Sequence, residues 1–186
     1  MRVDCILKIE AHHSFKYKMI ELKARVRDHE FLRKKLSALG AQYVETFQQT
    51  DLYFKVPEGR LKLREVEGNH TAELIYYERE NIPGPKRDNA FILEIKEPED
   101  LKKILKKILT PLTVIEKVRE IYKYQGTQIH MDTVKKLGKF IEFERRTSDD
   151  SKVAEKDRQI LEKIMAKLKI DPNNFETLSY SDLPQT

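Results

Sequence analysis

Hydrophobic and polar positions alternate along most of the chain. In residues 19–27, Ile20, Leu22, Ala24 and Val26 take one face and Glu21, Lys23, Arg25 and Arg27 the other. Leu61 and Leu63 stand opposite Arg60, Lys62 and Arg64 in the same way. A period of two is that of a β-strand, whose successive side chains point to opposite faces. Segments 50–56, 72–79, 90–96, 115–124, 127–132 and 139–145 behave alike, which predicts about eight strands. Pro57–Gly59, Gly68–Asn69 and Pro83–Pro85 supply turn residues between them.

Three segments instead have helical spacing. Residues 28–39 open on Asp28, a good N-cap, and run through Leu32, Leu36 and Leu39 to a stop at Gly40. Residues 98–109 begin with Pro98, Glu99 and Asp100 and end before Pro111. Residues 152–169 align Ile160, Leu161, Ile164 and Leu168 and stop before Pro172. With no internal repeat, low-complexity run or long linker, residues 1–186 read as one α+β domain dominated by an antiparallel sheet. Residues 1–18 read as an extension or an added strand, since Val3, Cys5, Leu7 and Ile9 alternate, and His12 and His13 read as exposed.

Charge narrows the picture. Charged residues make up 36% of the chain, but the signs are mixed and 39% hydrophobic content suffices for a core, so disorder is not expected. The net charge of +5 would suit nucleic acid. Yet the dense basic run, Lys102, Lys103, Lys106 and Lys107, interleaves with Leu101, Ile104, Leu105 and Ile108. That is the pattern of a solvated helix face opposite a buried stripe, and no nucleic-acid partner is expected. The single cysteine, Cys5, excludes an intramolecular disulfide and suits a reducing cytoplasm. No apolar run is long enough for a membrane helix, and Asp4 and Lys8 interrupt the Val3–Ile9 segment as a signal-peptide core. A cytoplasmic protein with no membrane attachment is expected.

The polar strand faces carry the candidate chemistry. Lys62 with Arg64, Lys117 with Arg119, and Glu142 with Glu144 are same-sign pairs two residues apart, and Asp132 follows His130 at that spacing. Each pair shares a strand face, about 6.6–7 Å apart. Facing bulk water, such pairs would only solubilise. Facing the interior of a closed barrel, they would repel one another unless a ligand completed the site. Lysine and arginine match polyphosphate oxygens, and clustered carboxylates suit Mg²⁺ or Mn²⁺. No G-x-x-x-x-G-K-[ST], G-x-G-x-x-G, G-x-S-x-G or H-E-x-x-H motif is present. Phosphate chemistry would therefore rest on side chains rather than a backbone loop.

A set of short motifs, in order, resembles the CYTH superfamily. They are Ile20–Val26 with its E-x-K, Gln49–Phe54, Gly59–Arg64, Glu73–Arg79, Gly84–Lys86, Lys117–Arg119, Ile129–Asp132 and Leu137–Glu144. The likeness is nearest to the class IV adenylyl cyclase branch, beside the thiamine and inorganic triphosphatases. It implies an eight-stranded antiparallel barrel around a triphosphate tunnel. It implies that Glu21, Glu142 and Glu144 hold a divalent metal, Mg²⁺ or Mn²⁺, with Asp132 as a further ligand or water-orienting group. It implies that Lys23, Lys62, Arg64, Arg79, Lys86, Lys117 and Arg119 bind phosphate, with Lys86, Arg119 and Asp132 taking part in catalysis. Arg25 could equally form an ion pair on the barrel wall. Two positions depart from the family pattern: Met19 replaces the first acid of E-x-E-x-K, and Gln128 replaces an arginine. The implied substrates are ATP, thiamine triphosphate or tripolyphosphate. The reactions left open are cyclisation of ATP, hydrolysis of the terminal phosphate, and binding without turnover. A homodimer through an outer barrel face also stays open.

Overall fold

A computed structural model describes residues 17–184. The alternating segment at 3–9 and His12 and His13 lie outside the described residues. Among the described residues there are eight strands: β1 (Tyr17–Val26), β2 (Gln42–Phe54), β3 (Arg60–Val66), β4 (Ala72–Arg79), β5 (Lys86–Ile95), β6 (Pro111–Tyr124), β7 (Thr127–Val134) and β8 (Gly138–Arg146). They form a closed barrel in the order β1-β5-β4-β3-β2-β6-β7-β8, with every neighbouring pair antiparallel. β1 closes the ring by pairing with β5 along one edge and β8 along the other.

Closure puts alternate residues of every strand inside. In this barrel the charged set faces in, and much of the apolar set faces out beneath helices. Ile20, Leu22 and Ala24 of β1, Ile129 and Met131 of β7, and Ile141 and Phe143 of β8 form the outer core. Two helices cover them, α1 (His29–Ala38) through Leu32 and Leu36, and α3 (Ser151–Leu168) through Ala154, Leu161, Ile164 and Leu168. Their starts obey capping chemistry: Asp28 accepts from the Glu30 and Phe31 amides, and Asp150 from the Lys152 and Val153 amides.

The third helix, α2 (Pro98–Ile108), departs from expectation. Only Leu105 of the predicted stripe is buried, against Leu52, Phe54, Leu63 and Ala72, while Ile104 and Ile108 are 54% and 69% exposed. Leu101 packs beside Leu105, whereas Ile104 and Ile108 are covered by nothing among the described residues. The predicted strands are present, but β2 starts at Gln42 rather than residue 50 and β5 at Lys86 rather than residue 90.

Beyond α3 the chain turns at Pro172–Asn174 and Tyr180–Asp182 and lies against the barrel. Ala24 bridges to Phe175, and the Glu176 amide donates to the Lys23 carbonyl. Tyr180 and Leu183 pack with Tyr53, Tyr77, Ile115, Val134 and Phe140, an apolar layer inside the barrel. The charged residues stand next to it.

Candidate active site

The inward faces enclose a cavity of about 670 Å³. That is within the usual range for a small-molecule site. Glu21, Lys23, Lys62, Arg64, Arg79, Lys117, Arg119, Glu142 and Glu144 line it. Lys86 and Asp132, each 0% exposed, sit in the barrel wall just behind. The period-two spacing is what brings these residues together, because a strand that shows the interior one charge shows it the next.

The largest charge network centres on Asp132. Arg119 donates to it twice, Nε to Oδ1 at 2.7 Å and Nη2 to Oδ2 at 2.6 Å. Lys117 Nζ and the Tyr180 hydroxyl both donate to Oδ2, at 3.2 and 3.1 Å. Arg119 Nη2 also reaches Glu142 Oε2 at 2.5 Å. Burial alone would raise the pKa of Asp132, but Arg119 and Lys117 overcome it and hold the group down to about 2. Glu142, also opposed by burial and held by Arg119, lies well below the ordinary carboxylate range. Asp132 is thus saturated with donors and acts from behind the cations. Replacing Tyr180 by Phe removes one of those donors while the others remain. A loss of about 1 kcal/mol is expected, seen as a melting temperature lower by about 2–4 °C.

A second network pins the β3 cations. Asp51 of β2 accepts from Lys62 Nζ at 3.1 Å, Arg64 Nε at 3.0 Å and Gln49 Nε2 at 3.0 Å. The β2–β3 register makes this inevitable, since it sets Asp51 opposite Arg64 and Tyr53 opposite Lys62. Burial opposes ionisation of Asp51, and Arg64 and Lys62 outweigh it, holding the carboxyl far below its usual range. The sequence motif contained Asp51, but its role as the counter-ion appears only once the register is known.

A third group belongs to the C-terminal segment. Lys23 Nζ donates to the Leu178 carbonyl at 2.5 Å, and Lys86 Nζ to the Glu176 and Thr177 carbonyls at 2.9 and 3.3 Å. Arg79 donates to the Thr177 carbonyl at 3.0 Å and pairs with Glu21 at 2.5 Å. Three implied phosphate ligands therefore already face backbone oxygens. Tyr180 lies under two of the cations, with Lys23 and Lys117 at 4.1 and 4.9 Å from its ring centroid. Arg25 takes the wall position, with Nε 3.1 Å from Glu176 Oε2.

The carboxylates divide unequally. Glu21 is committed to Arg79 and Glu142 to Arg119, whereas the group facing Glu144 among the described residues is the His130 imidazole, at 3.5 Å. Met19, where the motif lacks its acid, pairs directly with Asp88 of β5, and both line the cavity. Directly opposed residues bring their Cβ atoms about 4.5–5.5 Å apart, so a carboxylate stands one strand over from the vacated position. Burial, and Glu21 beside it, push the Asp88 carboxyl well above its ordinary range. Its Oδ1 is buried without a hydrogen-bond partner among the described residues.

Fold and interior together define a closed barrel whose cavity is lined by cationic and acidic side chains. The chain belongs to the CYTH family: the CYTH domain model matches residues 18–180. The closed eight-stranded barrel with three helices is the triphosphate tunnel fold of that family, whose members bind triphosphate substrates. A relative from Methanocaldococcus jannaschii, named "Putative adenylate cyclase MJ0240", is 29% identical over 88% of this chain and 97% of its own. The PH1012 protein of Pyrococcus horikoshii superposes with a TM-score of 0.81 at 25% identity, over 89% of this chain and 98% of that one. A Hippeastrum protein described as revealing "a dominant triphophatase activity" has a TM-score of 0.62 at 16% identity, over 89% and 92%. Among the described residues no helix is long and apolar enough to cross a membrane.

Proposed function

We propose that this protein is a metal-dependent enzyme acting on a triphosphate, with conversion of ATP to cyclic AMP and pyrophosphate as its leading reaction. The observation that carries this is the meeting of Lys62, Arg64, Lys117 and Arg119 with Glu142 and Glu144 in one cavity. A polyphosphate chain presents several oxygens to point-like ammonium and forked guanidinium groups on separate strands. The name of the M. jannaschii relative favours the cyclase reaction.

The residues present suit a divalent ion. Glu142 and Glu144 would hold it, with Glu21 close by, and Oδ1 of Asp88 is a further oxygen that has no donor among the described residues. When bound, Mg²⁺ or Mn²⁺ neutralises phosphate charge and polarises the P–O bond that breaks. Lys62, Arg64, Lys117 and the Nη1 side of Arg119 hold phosphate oxygens in line for displacement. Lys23, Arg79 and Lys86 form a further row, whose bonds to the 176–178 carbonyls a phosphate chain would replace. Asp132 fixes Arg119 and Lys117 from behind. In cyclisation the ribose 3′-oxygen bonds to the α-phosphorus and the α–β bridging bond breaks. The hydroxyl proton goes to water, and pyrophosphate leaves with its charge balanced by lysine and arginine.

A second reading is hydrolysis, in which the same cradle holds the chain while water attacks the terminal phosphorus. The activity described for the Hippeastrum neighbour supports it. The test is incubation with ATP, thiamine triphosphate and tripolyphosphate in Mg²⁺ or Mn²⁺. Cyclic AMP with pyrophosphate supports the cyclase and orthophosphate the hydrolase. Tight binding with no product overturns both.

The cations set a pH dependence. Burial pushes Lys23, Lys62 and Lys86 down to about 8. Each is charged below that value and neutral above it, so triphosphate affinity should hold near pH 7 and fall as pH rises through 8. A bound polyanion favours the charged form, so binding at pH 8 should take up protons. Calorimetry in buffers of different ionisation enthalpy measures that uptake. An affinity flat from pH 7 to 9.5 would remove these lysines from the binding set.

A further inference from the structure

One polar side chain in the barrel wall has no part in the triphosphate reading. His130 of β7 is 3% exposed, and neither ring nitrogen has a hydrogen-bond partner among the described residues. Buried imidazoles ordinarily satisfy at least one nitrogen. Nδ1 stands 3.5 Å from Glu144 Oε1 and 3.8 Å from Glu142 Oε2. Both exceed the roughly 2.7–3.2 Å of a sound hydrogen bond. The β7–β8 register sets His130 opposite Glu142 and Gln128 opposite Glu144, so the ring lies between the two carboxylates. One donor atom from each of the three residues lies within 4.8 Å of the others. Ligands on one ion stand at most about 4–5 Å apart, twice a metal–ligand distance of roughly 2.0–2.6 Å.

We propose that His130 is a direct ligand of the cation held by Glu142 and Glu144, which makes this a mixed nitrogen–oxygen site selective for first-row transition metals over Mg²⁺. The inference rests on the reading of those two glutamates as metal holders. An imidazole nitrogen adds affinity for Mn²⁺, Co²⁺ or Zn²⁺, whereas Mg²⁺ keeps to oxygen ligands. Nδ1 faces both carboxylates beyond hydrogen-bond distance, and as a ligand the ring would be neutral and present that nitrogen's lone pair to the ion.

The experiment uses the full chain stripped of metal. Pulsed EPR of bound Mn²⁺ should show coupling to a histidine nitrogen, and the pattern should change when histidine is labelled with ¹⁵N. That readout needs no variant. Calorimetric titration with Co²⁺ and Mg²⁺ then compares wild type, His130→Ala and Glu144→Ala, with circular dichroism confirming the fold. His130→Ala should weaken Co²⁺ binding by at least about 10–100-fold, the loss already typical for removing a partner that only orients a ligand, and change Mg²⁺ binding far less. Glu144→Ala should weaken both ions. Absent nitrogen coupling, or equal losses for Co²⁺ and Mg²⁺ in His130→Ala, overturns the histidine assignment while Glu144→Ala still supports the carboxylate site. Unchanged binding of both ions to Glu144→Ala overturns the carboxylate site itself.

Discussion

Arg119→Ala should destabilise the protein by about 3–5 kcal/mol, the cost of stranding a buried charge by removing its partner. The guanidinium reaches both Asp132 and Glu142 through two of its nitrogens. Without it Asp132 keeps Lys117 and Tyr180, but Glu142 loses the cation that hydrogen-bonds to it, with Lys117 and Lys23 acting only from farther away. At about 2–4 °C per kcal/mol for a chain of this size, the melting temperature should fall by roughly 6–20 °C at pH 7. The pH dependence gives the mechanism away. In the wild type both carboxyls have folded-state pKa values below their unfolded values. The stability they contribute is therefore present above the unfolded pKa and lost as pH falls through the folded one. The deficit of the variant should be largest near neutrality and shrink below about pH 4, where the carboxyls protonate. Arg119→Lys should recover part of it, since an ammonium restores the charge but not the fork. Equal melting temperatures at pH 7 would show that Arg119 is not the keystone of this network.

Glu144→Ala should have the opposite profile. Its side chain is 26% exposed and the group facing it among the described residues is the His130 imidazole, so the barrel should tolerate the change within about 0.5 kcal/mol. Turnover should fall by about 10²–10³-fold, the usual loss on removing one group that stabilises transition-state charge. Added metal should restore part of the rate if the residual ligands still bind weakly. Glu144→Gln keeps the shape without the charge and should be equally impaired. Wild-type rates in both variants, measured at saturating Mg²⁺ and Mn²⁺, would remove Glu144 from the metal site.

The strands and their shared charged faces were legible because alternation is local, whereas closure with those faces inward was implied by the family resemblance. Glu21 and Lys23, Lys62 and Arg64, Lys117 and Arg119, and Glu142 and Glu144 each announce a shared face, and closure needs only that all those faces agree. What alternation cannot show is which charge meets which. Asp51 becomes the counter-ion of Lys62 and Arg64 only through the β2–β3 register. Asp88 fell between a turn at Pro83–Pro85 and a strand expected from residue 90, and its pairing with Met19 emerges from β5 beginning at Lys86. The contacts of Glu176, Thr177 and Leu178 were out of reach for another reason. They are made by carbonyl oxygens, which every residue carries and no sequence pattern marks. The exposed Ile104 and Ile108 show the converse, two positions of a helical stripe that nothing among the described residues covers.

The first strand described is hydrogen-bonded to the last, so the ring cannot be completed until nearly all of the barrel has been synthesised. Such distant pairing carries a high contact order and places folding on the millisecond-to-second scale rather than the microsecond scale of helical bundles. On the ribosome, the acids of β8 arrive after every cation meant to face them. Until then Arg119 has Asp132 to reach but not Glu142, and the cavity lacks the wall that β8 supplies.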